Sequence, residues 1–292
     1  TDDYKPNIIL KRISTAKNNL LSPGAYESNA ELMEYDRNSN CPRFIDVYKL
    51  YVARCRKYDA MDFDDLLFNM AVLFKKFPAL VEKYQQRFRY ILVDEYQDTN
   101  FAQYVIINHL AGKHKNICVV GDDAQSIYSF RGAKIENILN FRNDYPDCKI
   151  FKLEQNYRST KTILHAANSV IEHNTKQLKK ALWSGNENGN RIIVHNALTD
   201  NDEAFFVVDS IAQNRINKNI DYDKAAVLYR TNAQSRTLEE ALRRRNIPYR
   251  IYGGISFYQR KEIKDVLAYF RLLINKKDDE ALRRIINYPA RG

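Results

Sequence analysis

Asp94 and Glu95 stand side by side at the end of a short, continuously apolar run, Tyr90-Ile91-Leu92-Val93. Adjacent carboxylates at such a point can divide labour. One can hold a magnesium ion through its waters, and the next, aimed elsewhere on the turn, can polarise an attacking water. Cleavage of a phosphoanhydride needs that combination. Many strands end in acidic residues, so the pair gains its meaning from its surroundings. A second apolar run, Ile117-Cys118-Val119-Val120, ends in Gly121-Asp122-Asp123 and is followed by Gln125 and the aromatic-basic cluster Tyr128, Phe130 and Arg131.

Apolar runs alternating with helical spacing predict a parallel α/β sheet. Its strands are expected at residues 90–93, 117–120, 149–153, 191–197, 225–230 and 249–252. Helical spacing covers 62–87, 100–110, 159–173, 201–214, 233–245, 262–274 and 279–286. Acidic and glycine residues fall just past the first two strands, where such sheets bind ligands. Residues 1 to about 58 read as helical and polar, with a loop at Leu21-Ser22-Pro23-Gly24. Gly185–Asn190 reads as a polar surface loop near a domain junction.

Lys plus Arg exceeds Asp plus Glu by 46 to 36, a formal charge of +10. Residues 229–292 hold 15 basic and 7 acidic residues, so +8 of that charge lies there. Polyanions suit such a surface, although a solvated basic face has the same composition. The 20 Tyr and 14 Phe could serve a core or stack on bases. No pair among Cys41, Cys55, Cys118 and Cys148 has metal-knuckle or redox spacing, and the five histidines read as structural. Cys118, inside an apolar run, is expected in the core. A reduced, cytoplasmic compartment fits, and no membrane partner is expected from runs this short.

Three longer segments sharpen the reading. Val93-Asp94-Glu95-Tyr96-Gln97-Asp98-Thr99 is followed by Val120-Gly121-Asp122-Asp123-Ala124-Gln125-Ser126-Ile127-Tyr128-Ser129-Phe130-Arg131-Gly132-Ala133. Then comes Leu153-Glu154-Gln155-Asn156-Tyr157-Arg158-Ser159-Thr160. The ordered set resembles motifs II, III and IV of superfamily 1 DNA helicases of the UvrD/Rep/PcrA group. Met61–Leu67 resembles the family's DNA-contacting DFDDL motif, and Leu228–Arg236 its LYRTNAQSR segment. Gly253–Tyr258 and Glu262–Asp265 resemble the segment leading into the 2B domain.

The resemblance implies a set of roles. Asp94 would coordinate magnesium and Glu95 would be the general base of ATP hydrolysis. Gln125 would sense the γ-phosphate, Arg158 would act as an arginine finger and Tyr157 would stack on adenine. Phe63, Tyr128, Phe130 and Arg131 would contact DNA. Phe130 stands where many members of the family have Trp, which keeps a π-face but reduces its area. Rival readings accompany these roles. Phe63 shares a helical face with Leu66 and Leu67 and could belong to a core. Tyr157 could be plain packing, one of Tyr128 and Phe130 could be buried, and Arg243-Arg244-Arg245 could be a solvated helix end.

By resemblance the expected architecture is α/β and RecA-like, in partial domains. A helical 1B-like subdomain spans 1–58, part of domain 1A spans 59–154, part of domain 2A spans 155–256 and the start of 2B spans 257–292. The sequence contains no GxxxxGK[ST] phosphate loop and no motifs V and VI. The expectation is therefore an internal piece of an ATP-dependent, 3′-to-5′ DNA helicase. Its partners would be ATP with Mg2+, single-stranded DNA and single–double strand junctions, and the piece alone would be inactive. The alternatives are a non-catalytic DNA-binding or interaction module, and the motor part of a helicase–nuclease subunit.

Overall fold

The computed structural model describes residues 4–175, 177–252 and 261–289. Gly253–Tyr258, expected to lead into 2B, lies outside the described residues. By its internal contacts the chain divides into two compact units, Thr1–Asn190 and Arg191–Gly292.

The first unit begins with four helices: α1 (Pro6–Asn18), α2 (Pro23–Glu27), α3 (Ala30–Asn38) and α4 (Phe44–Lys57). In α1, Ile9, Ile13 and Ala16 are buried at helical spacing. They pack with Tyr26, Phe44, Ile45 and Tyr48 into one core. Tyr26, Phe44 and Tyr48 form an aromatic triangle with ring centroids 5.2, 6.1 and 6.4 Å apart. Fully burying a side chain such as Phe44 stabilises the fold by about 1.5–3 kcal/mol. Of the loop expected at Leu21–Gly24, Leu21 and Ser22 lie outside the helices, while Pro23 and Gly24 open α2. Ser22 accepts the Ala25 N–H as N-cap and Pro23 takes the first helical position.

Next come α5 (Phe63–Lys76) and α6 (Pro78–Arg87), separated at Phe77 where Pro78 cannot continue the helical hydrogen bonding. Strands β1 (Ile91–Val93) and β2 (Ile117–Val119) pair in parallel, with Ile91 opposite Ile117 and Val93 opposite Val119. The crossover between them is α7 (Phe101–Ala111), opened by a reciprocal Asn100–Gln103 capping box. Short helices α8 (Glu136–Leu139) and α9 (Phe141–Asp144) and then α10 (Lys161–Ile171) are the remaining α-helices of this unit among the described residues.

The second unit packs α11 (Asp200–Lys218) on α12 (Ser235–Arg244) through Ala204, Val208, Ala241 and Ile247. Its α13 (Lys261–Ile274) and α14 (Asp279–Ile285) meet at Ala268, Ala281 and Ile285, and Arg284 pairs with the buried Asp265 at 2.7 Å. At the end of α12, Arg244 pairs with Glu240 at 2.7 Å and Arg245 with Asp209.

Every helix expected from the spacing forms, but only two of the six expected strands do. Residues 149–153, 191–197, 225–230 and 249–252 are not strands. An apolar run becomes a strand only when a neighbour takes up its N–H and C=O groups. Among the described residues these segments have no such partner strand. Phe151, Leu153, Val194 and Leu228 are all at least 80% exposed. Beyond 153, the only sheet-like pairing among the described residues is one parallel bridge between Gln155 and Trp183. Cys118 also departs from expectation: it is exposed, on the same uncovered face of the two-stranded sheet as its partner Leu92. The architecture is thus α/β, with a small parallel sheet among many helices.

Candidate functional site

The end of β1 opens into a cleft of about 330 Å³ lined by Asp94, Glu95, Asp98 and Thr99, with Leu67 and Ile106 among its apolar walls. Asp94 and Glu95 are both exposed there. The backbone turns sharply between strand and cleft. Glu95 has φ 50° and ψ 41°, the left-handed conformation that non-glycine residues rarely adopt, and the Asp94 carboxylate accepts the Glu95 N–H at 2.9 Å. Asp98 is partly buried with one carboxylate oxygen unpartnered, and burial followed by the nearby Glu95 charge pushes its pKa up. Among the described residues no group of three or more His, Cys, Asp or Glu side chains is placed to hold a metal ion, so the two exposed carboxylates of the cleft, Asp94 and Glu95, are its available acidic groups.

Glu95 is tied to the next strand end by Gln97, a buried residue that sequence reasoning passed over. Its amide nitrogen donates to Glu95 Oε2 at 2.8 Å, and its amide oxygen accepts the Asp122 N–H at 3.0 Å. Gly121 makes room for this link, because a Cβ there would sit 2.5 Å from Gln97 Oε1. Tyr96 N–H to Val120 C=O, at 3.0 Å, adds a backbone rung beside it. Gln125 then donates to Asp122 Oδ2 at 2.7 Å. Burial alone raises the Asp122 pKa, but hydrogen bonds from Lys180 and Gln125 and the Lys180 charge outweigh it, and the net shift is downward. Gln125 therefore joins Glu95 through Gln97 and Asp122. Gln125, Tyr157 and Arg158 do not line the cleft itself.

Tyr157 and Arg158 are exposed on a turn made by Asn156, whose side chain accepts the N–H groups of Arg158 and Ser159 at 2.9 and 2.7 Å. Tyr157 is 78% exposed and donates its hydroxyl to Gln155 at 3.0 Å, so the packing alternative for this ring does not hold within the unit.

The aromatic end of the Gln125 loop is arranged differently. Tyr128 and Phe130 stack at 5.9 Å between centroids, and the Arg131 guanidinium lies 5.2 and 5.5 Å from their centroids. Both rings are exposed, so neither is core. Phe63 is 91% exposed at the first turn of α5, which removes the core alternative for it as well.

Beneath Phe63 lies a second network that sequence reasoning did not find. Lys17 is buried yet pairs with Asp62 at 2.6 Å and Asp65 at 2.8 Å, the two residues of the α5 capping box. Tyr51 donates to Asp62 at 2.8 Å. The residue after Lys17, Asn18, donates to Asp64 at 3.0 Å and accepts from Asn100 at 2.8 Å. Asn100 in turn bridges to Ala133 of the aromatic loop. The available signal was a lysine one turn beyond Ile13, on the buried face of α1.

Comparison with known proteins bears on this arrangement. Residues 1–146 match the UvrD/REP helicase N-terminal domain, and residues 151–292 match the UvrD-like helicase C-terminal domain. The chain belongs to the UvrD/REP helicase family. It is 48% identical, over its whole length, to the ATP-dependent DNA helicase PcrA of Leuconostoc citreum. Against the proteins of that name from Staphylococcus epidermidis and Staphylococcus aureus it is 48% identical over 99% of its length. The chain spans 38–39% of the length of these curated relatives. For a UvrD/REP family chain, the informative feature is how its motif segments meet. The Asp94–Glu95 and Asp122–Gln125 segments share a hydrogen-bonded end of the sheet, while the aromatic loop and the start of α5 share the Asn18 network. Among the described residues no helix is long and apolar enough to cross a membrane.

Proposed function

We propose that this chain is part of the motor of an ATP-driven DNA helicase or translocase moving 3′ to 5′, with RecA-like domains 1A and 2A and flanking 1B and 2B subdomains. The boundaries proposed from the sequence are 1–58 for 1B, 59–154 for 1A, 155–256 for 2A and 257–292 for the start of 2B. The observation that carries the reading is the cleft at the end of β1, where Asp94 and Glu95 are exposed and Gln97 joins Glu95 to the Asp122–Gln125 turn. Membership of the family and the names of the PcrA relatives support it.

In this reading Asp94 holds magnesium through the ion's waters. The bound ion would neutralise charge on the transferring phosphoryl group. Glu95 accepts the proton of the attacking water, and its hydrogen bond from Gln97 fixes the carboxylate's orientation. Gln125 exchanges its bond to Asp122 for one to the γ-phosphate. Arg158 supplies a guanidinium to the same phosphate, and Tyr157 stacks on the adenine. Tyr128, Phe130, Arg131 and Phe63 grip single-stranded DNA and its junctions by stacking and charge. The sequence has no phosphate loop to wrap the nucleotide, so these 292 residues alone should not turn over ATP.

The deciding experiment is Glu95→Gln in the full-length protein, assayed with single-stranded DNA. The amide keeps shape and hydrogen bonding but cannot take the proton. Turnover should fall by about 10²–10⁴-fold with nucleotide binding largely retained. Near-normal turnover would refute the assignment. DNA-stimulated turnover by the 292-residue chain itself, abolished by the same substitution, would refute its inactivity.

A further inference from the structure

Lys180 lies outside the cleft and in no motif, yet it stands at a junction. Its ammonium donates to Asp122 Oδ1 and, at 2.6 Å, to Asp123 Oδ1. The Asp123 side chain is only 2% exposed, and Lys180 itself 21%. The other Asp123 oxygen accepts the Leu178 N–H at 2.7 Å, so backbone and side chain of the 178–180 segment hold the same carboxylate. Three residues on, Trp183 takes up the strip before Tyr157. The Trp183 N–H donates to Glu154 C=O at 3.0 Å, and the Asn156 N–H donates to Trp183 C=O at 2.7 Å. The Asn186 amide then donates to the carbonyls of Tyr157 and Ser159 at 3.3 and 3.1 Å.

In the other direction the bonds run from Lys180 through Asp122 and Gln97 to Glu95. The cleft carboxylates and the Tyr157–Arg158 turn are therefore connected by hydrogen bonds and a few residues of backbone, and Lys180 is the joint. Its charge matters as much as its bonds. Without it, Asp122 and the buried Asp123 would face each other uncompensated at the acidic end of the sheet.

We infer that Lys180 is a positioning residue: it holds the Asp122–Gln125 turn and the Tyr157–Arg158 turn in one register, so that both act on the same nucleotide. The inference rests on the nucleotide-site reading above.

The test is Lys180→Met in the full-length protein, which keeps an apolar stem and removes the charge. The kcat for DNA-stimulated ATP hydrolysis should fall by about ten- to a hundredfold, as misplacement of groups around a reacting centre does. KM for ATP should change by less than about threefold. Lys180→Arg should restore most of kcat, since a guanidinium can also bridge two carboxylates. Asp123→Asn, which removes one of the two charges while keeping an acceptor, should give an intermediate loss at unchanged KM and serves if Lys180→Met does not fold. Wild-type kcat in Lys180→Met or in Asp123→Asn overturns the inference. So does a joint loss in kcat and KM with a lowered melting temperature and no rescue by arginine, because that pattern belongs to a merely structural lysine. Glu95→Gln run alongside separates the two failures. If it retains turnover, the nucleotide-site reading falls. If it abolishes turnover while Lys180→Met stays normal, only the inference falls.

Discussion

Gln125 and Phe130 lie five residues apart on one loop, and their surroundings differ in kind. The Gln125 amide is bound to Asp122, which is bound to Lys180 and Gln97, which is bound to Glu95. The ring of Phe130 is 60% exposed, and it meets the ring of Tyr128 and the guanidinium of Arg131. Phosphoryl transfer depends on groups held to a fraction of an ångström, and a closed polar network supplies that constraint. A surface that grips successive bases must accept any of them and release each in turn, which exposed π-faces do without directional bonds. In the proposed function one loop serves both tasks, with Gln125 inside the polar network and the Tyr128 and Phe130 rings exposed.

Phe63 refines the contrast, because its exposed ring stands on a buried charged support. Lys17→Met should break that support and destabilise the fold more than any substitution on the Gln125–Arg131 loop. Removing one partner of a buried ion pair costs about 3–5 kcal/mol because the carboxylates left behind stay desolvated. Urea unfolding would register the loss as a lowered midpoint at unchanged slope. A midpoint within error of wild type would mean that the Lys17–Asp62–Asp65 cluster is solvated and that Phe63 is as loosely held as Phe130.

A smaller effect is expected at the free end. Tyr128→Ala and Phe130→Ala should each weaken single-stranded DNA binding by about 1–3 kcal/mol per stacked base. Stability should barely change, since neither ring is buried. Fluorescence anisotropy of a labelled oligonucleotide on the full-length protein, repeated across salt concentrations, measures it. Unchanged affinity in the double variant would remove the stacking role. A large drop in melting temperature would show that the rings are structural, which would erase the contrast.

How much of this could be read in advance differs between helices, strands and site. The helices were legible because their determinants are local. The Asp62–Asp65 and Asn100–Gln103 boxes lie within four residues, and the burial of Ile9, Ile13 and Ala16 follows from their spacing. Strands 149–153 and 225–230 were not, because an apolar run carries no information on whether a neighbour will pair with it. The motif residues were legible as types in order. Their connections were not. Gln97 sat in plain view between two acids, but its contact with Asp122 spans 25 residues. Lys180 is one of several lysines in a polar stretch and meets Asp122 across 58. Nothing local distinguishes it from Lys179.

The finest test of the fixed end is the pH dependence of its stability. Asp122 in the folded protein lies below its ordinary value of 3.8, because bonds from Lys180 and Gln125 outweigh the cost of burial. A carboxylate with a depressed folded pKa adds stability that is complete above its unfolded value and disappears as pH falls through the folded one. Lys180 shifts the other way. Burial lowers its pKa, but hydrogen bonds to Asp122 and Asp123 and their charges outweigh this and raise it above 10.5, so its contribution is complete below 10.5 and is lost only in stronger alkali. Between those limits the cluster's contribution is flat. Asp122→Asn should therefore cost a constant amount across neutral pH, and the gap from wild type should narrow below about pH 4 as the native carboxylate takes up its proton. Urea midpoints measured at closely spaced pH values from neutrality into acid would show the two curves converging. Curves that stay parallel would mean that Asp122 is not charged against Lys180 in the folded state. The joint between the carboxylate cleft and the Tyr157–Arg158 turn would then have to be held by uncharged hydrogen bonds alone.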